Sequence, residues 1–176
     1  MLQDHEQELL REIVVDAIRA TLSGKPHAVD LPRDGPLTHD GSAFVTLRNG
    51  GHLRGCIGLI GHRRPLSECV RDAAGRALSD SRFAPVSEDE LPELDIEISV
   101  LTEFSSVTDV ATIEVGRHGL LVSASGRSGL LLPQVAVEHE WDRESFLAHA
   151  CMKAGLAPEH WQRPDLTIEV FEAQVF

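Results

Sequence analysis

The sequence predicts an α+β fold on three observations. Apolar residues recur at helical spacing near the start of the chain, and an alternating pair of runs around glycines follows as a hairpin. Later strands join their neighbours mostly through tight turns. Strands linked by hairpins and set apart from the helices belong to α+β rather than to an alternating parallel architecture, so an antiparallel or mixed sheet flanked by helices is expected. The 176 residues fit one domain, read as 1–176, because domains cluster around ~100–150 residues.

Each element has its own signal. Leu9, Leu10, Ile13, Val14, Ala17, Ile18 and Leu22 fall at spacings of three and four, which makes one apolar stripe of a helix, and Gly24 ends it. Residues 25–42 carry Pro26, Pro32, Gly35, Pro36 and Gly41 and read as a surface loop. Residues 43–48 and 52–60 then read as two strands. Asn49-Gly50 between them is a preferred turn pair, since both central residues must accept positive φ. Simple alternation puts Leu53, Gly55, Ile57 and Leu59 on one face of the second strand, and Arg54, Cys56, Gly58 and Ile60 on the other.

Pro65 can open the next helix, whose buried face holds Leu66, Cys69, Val70, Ala73, Ala74 and Ala77. Ser87-Glu88-Asp89-Glu90 has capping-box form, and Pro92 keeps that helix short. Residues 94–101 alternate as a strand. A second hairpin is expected from 119–124 and 128–132 around Ser125-Gly126-Arg127. Pro133 starts a short helix, Asp142 caps another that runs to about Lys153, and Gly155 stops it. Residues 166–172 alternate as a final strand.

Charge and composition exclude whole classes of function. Sixteen Lys+Arg against 28 Asp+Glu leave a net charge of −12, which argues against non-specific binding to nucleic acid or to anionic membranes. No apolar run approaches the ~20 residues of a membrane helix, and the acidic start does not read as a signal peptide. Three widely spaced cysteines do not form a disulfide framework, so a reducing cytoplasm is the expected location.

Few residues stand out as carriers of chemistry. Cys56 lies between Gly55 and Gly58 with Arg54 two residues before it. Glycines inside a strand mark a bulge or a close approach, and a guanidinium favours the nucleophilic thiolate. Against that stands the bland reading of Cys56 as a small buried side chain, which is the reading for Cys69 and Cys151 on apolar helix faces. His118, in Gly116-Arg117-His118-Gly119, could act as a general base, or simply occupy a loop. Glu97 sits on the polar face of its strand, where a half-buried carboxylate needs a partner. Asp80 and Arg82 could form an exposed ion pair that fixes a turn, and Gln134 follows Pro133 near a helix start. No Cys-x-x-Cys or His-x-x-x-His pair offers a local zinc site, and no metal or cofactor is assigned. Walker, dinucleotide and Gly-x-Ser-x-Gly motifs are absent as well.

The chain resembles the AMMECR-one domain family through Leu53-Arg54-Gly55-Cys56-Ile57-Gly58 and Asp80-Ser81-Arg82-Phe83-Ala84-Pro85. Glu90–Leu94, Ile98–Thr102, Gly116–Gly119, Leu131–Val135 and Cys151–Leu156 follow in matching order, and the resemblance spans nearly the whole chain. The Arg-Gly-Cys-Ile-Gly run is its most specific part. It implies two α+β subdomains, the smaller packed on the larger, with the cysteine segment lining a cleft. It implies no settled reaction. Family members of this form often occur beside a Memo-like protein and a radical SAM protein, in systems labelled AmmeMemoRadiSam, so such proteins are the implied partners and this chain the implied component A.

Two functional readings stay open at this level. In one, Cys56 is a nucleophile, with Arg54 favouring its thiolate or holding an anionic substrate and His118 or Glu97 moving a proton. Gly55, Gly58, Asp80, Arg82 and Gln134 would line the site for a small-molecule ligand. In the other, the protein is a non-catalytic adaptor or ligand-binding module and Cys56 only shapes the fold. A weaker third reading places Zn or Fe on Cys56, His118 and a carboxylate.

Overall fold

The computed structural model describes residues 1–61 and 63–176. In chain order its α-helices and strands are α1 (Asp4–Ser23), β1 (Ser42–Asn49), β2 (His52–Leu59), α2 (Leu66–Ala77), β3 (Leu94–Leu101), β4 (Ser105–Ser106), β5 (Gly119–Ala124), β6 (Arg127–Leu131), α3 (Pro133–Glu138), α4 (Arg143–Lys153), β7 (Thr167–Phe171) and β8 (Ala173–Val175). Helices and two four-stranded sheets make this an α+β fold. The chain divides into two compact units, one from Met1–Val100 with Gln174–Phe176, the other from Leu101–Ala173.

The first unit holds a sheet of order β2-β1-β3-β8. α1 and α2 pack with it in one core of Leu10, Ile13, Ile18, Val45, Leu47, Cys69, Val70 and Ile98. The helical stripe read from the sequence is the stripe that packs there. Leu10, Ile13, Val14, Ala17 and Ile18 are buried, while Leu9 and Leu22 lie partly buried at its borders. At the start of α1 the Gln3 N–H donates to the Glu6 carboxylate at 2.7 Å. Gly24 closes its end in the left-handed region, at φ 66°. Pro65 stands at the cap of α2, one position before its first turn.

Two details of the strands differ from the sequence reading. Asn49 pairs with His52, so the turn residues are Gly50 and Gly51, at φ 54° and 79°, rather than Asn49-Gly50. The expected strand at 166–172 is β7 alone. It ends at Phe171, and the chain continues as β8 in the other sheet. Ile98 exchanges both main-chain bonds with Phe176, at 2.9 and 3.1 Å. The alternation shifts phase at Val170-Phe171, but a phase shift alone does not say that the chain joins the other sheet.

The second unit has a sheet of order β4-β7-β5-β6, antiparallel throughout. Its second hairpin turns on Ser125 and Gly126, with Arg127 already paired to Ala124. Asp142 caps α4 by accepting the Ser145 N–H at 2.8 Å, as its position predicts. Phe146, Leu147 and Ala150 of α4 then pack into a core with Leu120, Val122, Leu131 and Ile168.

Candidate functional site

The site is best built outward from Cys56. Its strand β2 lies at the edge of the sheet, and Cys56 stands directly opposite Thr46 of β1. The register slips between Leu47 and Arg48: Leu47 faces Gly55, while Arg48 faces Leu53. Arg54 is therefore the extra residue of a β-bulge. Cys56 does not spend its main-chain groups on β1. Its N–H donates to Asp80 Oδ2 at 3.0 Å, and its carbonyl accepts from Arg82 Nη2 at 3.3 Å. The Asp80–Arg82 pair thus stands where a further strand would otherwise bond, and it covers this edge.

That pair is built differently from the exposed turn contact read in the sequence. Asp80 is only 6% exposed. It accepts from the Arg82 main chain at 3.1 Å, from Nε at 3.0 Å and from Nη2 at 2.6 Å. The Arg82 bonds, helped by the Cys56 N–H, hold the Asp80 carboxyl far below the usual carboxylate range against the opposing cost of burial. Asp80 in turn raises the Arg82 proton affinity. Arg82 is thus the cation that bonds the Cys56 main chain. On the strand side, the Thr46 hydroxyl donates to Cys56 Sγ at 3.4 Å, and Thr46 itself is buried.

Arg54 is engaged elsewhere, which corrects the pairing expected from alternation. Its Nε and Nη2 reach the Glu90 carboxylate at 2.8 and 3.0 Å, and its Nη1 donates to the Ala84 carbonyl at 3.1 Å. The Arg54 bonds hold the Glu90 carboxyl down to about 2, assisted by the Ser87 main chain. Bulges break alternation, so a face shared by Arg54 and Cys56 does not follow from their spacing.

The glycines have packing reasons. A Cβ on Gly55 would lie 2.0 Å from the Ala77 carbonyl oxygen, and one on Gly58 would lie 2.2 Å from the Phe44 ring. Both spaces are already filled by the protein. Glu97 lies on β3, on the face away from the core residues Ile96 and Ile98. β1 separates its strand from β2, so at ~4.8 Å per strand it stands roughly 10 Å across the sheet from the Cys56 strand, too far for direct proton transfer.

His118 and Gln134 belong to the second unit. His118 Nδ1 accepts the Glu114 N–H at 3.0 Å, which assigns the proton of the neutral ring to Nε2. It closes a turn before β5, and its Nε2 in that tautomer donates rather than accepts. Gln134 is the second residue of α3, which has only six residues and no side-chain cap. Among the described residues, no three His, Cys, Asp or Glu side chains cluster to hold a metal ion, so the metal reading has no donor set here.

Thr46 and Glu90 were not singled out from the sequence. Glu90 carried a signal in its capping box, and Ser87 N–H does donate to its carboxylate at 3.0 Å. That signal says nothing of Arg54, which is 36 residues away. Thr46 carried none, because its place opposite Cys56 depends on the bulge.

The AMMECR1 family model matches residues 11–176. Protein MK0488 of Methanopyrus kandleri is 44% identical over 97% of this chain and 87% of its own. Protein TK0174 of Thermococcus kodakarensis is 39% identical over 99% of this chain and 91% of its own. The crystal structure of the uncharacterised protein PH0010 from Pyrococcus horikoshii is similar with a TM-score of 0.86 at 37% identity, covering 95% of this chain and 88% of that one.

Proposed function

We propose, from the premise that the chain belongs to the AMMECR1 family, that it presents Cys56 as a reactive thiol within a multi-protein enzymatic system. The observation that carries this reading is the setting of Cys56 at its strand edge. The Arg82 guanidinium, pinned by Asp80, bonds the Cys56 carbonyl, and a buried hydroxyl donates to the sulfur. Reactive cysteines sit beside such cations and donors, the thiolate being the nucleophile. Cys69 and Cys151 offer the contrast, because burial pushes both thiols up and seals them in the cores. All three cysteines are free, which suits a reducing cytoplasm. Among the described residues no helix is long and apolar enough to cross a membrane.

Within this reading the face bearing Cys56 borders a cleft that admits a small electrophile. Arg82 is half exposed at this edge and, still paired with Asp80, would meet an anionic group there. Glu97 would lie on the same sheet without touching the sulfur. Memo-like and radical SAM proteins are the partners that family membership suggests. A second reading, the adaptor, draws on a different observation. Gly55, Gly58 and Arg54 are all occupied by internal contacts, as a purely structural motif requires.

Site-resolved alkylation with iodoacetamide separates the two. The Cys56 sulfur should form its S–C bond, with loss of iodide, at least about tenfold faster at neutral pH than Cys69 or Cys151. Cys56→Ser should keep the fold and any partner complex but lose turnover in an assay with the suspected partners, a serine hydroxyl being a far weaker nucleophile. Slow labelling together with full activity of the variant would establish the adaptor.

A further inference from the structure

The second unit carries a surface feature that the thiol chemistry does not use. Trp141 lies between two imidazoles. The His139 ring stacks on it at 4.7 Å between centroids and 16° between planes, and the His149 ring at 3.7 Å and 17°. The stack joins the end of α3 to the face of α4, and the Ser145 carbonyl fixes His149 through Nδ1 at 2.8 Å. His149, bonded to Ser145, and Trp141, packed on the core, are thus held in place, so a partner would meet them at little entropic cost. An apolar side chain flanks the stack. Met152 follows His149 by three positions on α4 and is 45% exposed.

The rim of this patch is mainly acidic. Glu138, Glu140 and Glu144 are exposed, and none has an ion-pair partner among the described residues. Asp142 is spent on capping α4. Arg143, exposed but tied by its Nε to the Ile113 carbonyl at 2.9 Å, and Lys153 near Met152 are outnumbered by these carboxylates.

We infer that this patch docks a basic, amphipathic segment of a partner protein. Charge selects among the occupants. Anionic lipid and nucleic acid phosphates would be repelled by the glutamates. A second copy of this chain would set the same acidic rim against itself across a two-fold contact. A bare polycation would leave the exposed His139 ring and Met152 in water. An extended or helical segment carrying Arg or Lys beside Leu or Phe satisfies both halves of the patch.

The test uses the full chain and two synthetic peptides of equal charge, one mixing arginine with leucine, the other arginine with serine. Binding is read by anisotropy of the labelled peptide. The arginine–leucine peptide should bind about tenfold or more tightly than its serine counterpart, a gap of about 1.4 kcal/mol. Glu138→Gln with Glu140→Gln should weaken it by a similar factor, whereas Glu8→Gln with Glu12→Gln on α1, an equal change in net charge, should leave it within about twofold. Met152→Ser, at an exposed position that the fold does not need, should weaken binding of the leucine peptide alone. Equal loss in both glutamine pairs would mean generic attraction to an acidic protein and would overturn the inference. Equal affinity for both peptides would do the same, as would a dimer in sedimentation that Met152→Ser dissolves.

Discussion

Asp80 accepts the Cys56 N–H and three donors from Arg82, and it does so nearly out of water. Removing its charge leaves a strand-edge N–H and a guanidinium without their partner. Asp80→Asn should therefore cost on the order of 2–3 kcal/mol, toward the low end for a buried pair because Arg82 is 51% exposed. The folded-state carboxyl titrates well below its unfolded value, so its contribution is complete above pH ~4 and is lost only as pH falls through the folded value. Urea denaturation of both proteins should show the same gap at pH 7 and at pH 4.5. The gap should then narrow on going to pH 3, and a gap that stays constant down to pH 3 would show that Asp80 titrates normally. Of these residues, Cys56 was legible from its flanking glycines, but its cation was not. Arg54 is the near neighbour in sequence, whereas Arg82 reaches the cysteine across 26 residues by way of a buried aspartate.

Two glycines of β2 are small for different reasons, and the difference can be measured. Gly58 gives room to the Phe44 ring, a side chain that can be trimmed. Gly55 gives room to a main-chain carbonyl at Ala77, which cannot. Gly58→Ala and Gly55→Ala should each cost about 1–3 kcal/mol or more from overpacking. Phe44→Leu should recover a good part of the Gly58→Ala loss and none of the Gly55→Ala loss. Thermal denaturation of the four single and double variants checks this, and equal rescue would contradict the packing. The hairpin was legible as an element because glycines and alternation mark its turn and strands. Its register was not. Counted straight back from Gly50-Gly51, Cys56 would oppose Val45 and face the helices. The extra residue at Arg54 moves it opposite Thr46, onto the other face, and nothing in the run of residue types announces that shift.

At the scale of the whole molecule, the α+β class, α1, α2, β3 and the α4 cap all followed from period and capping residues. The division into two units did not; the family resemblance alone implied two subdomains. It rests on Ala173–Val175 joining the sheet of β3, where the break in alternation at Val170-Phe171 does not say which sheet follows. Gln174 ties that return to the other end of the chain. Its Oε1 accepts the Leu2 N–H at 2.7 Å, and its Nε2 donates to the Leu2 carbonyl at 3.0 Å. Gln174→Ala should lower stability by about 1–2 kcal/mol, and hydrogen exchange should speed in β3 and at the start of α1 while β5 and β6 stay protected. Uniform loss of protection would mean that the two units unfold as one. The same arrangement has a consequence in time. On the ribosome, residues 101–173 must be made between β3 and the strand that covers its edge, a wait of roughly 4–15 s at about 5–20 residues per second. For that interval β3 offers Ile96, Ile98 and Val100 on an unpaired strand, open to a neighbouring nascent chain. A chain released before Gln174 would keep that edge for good.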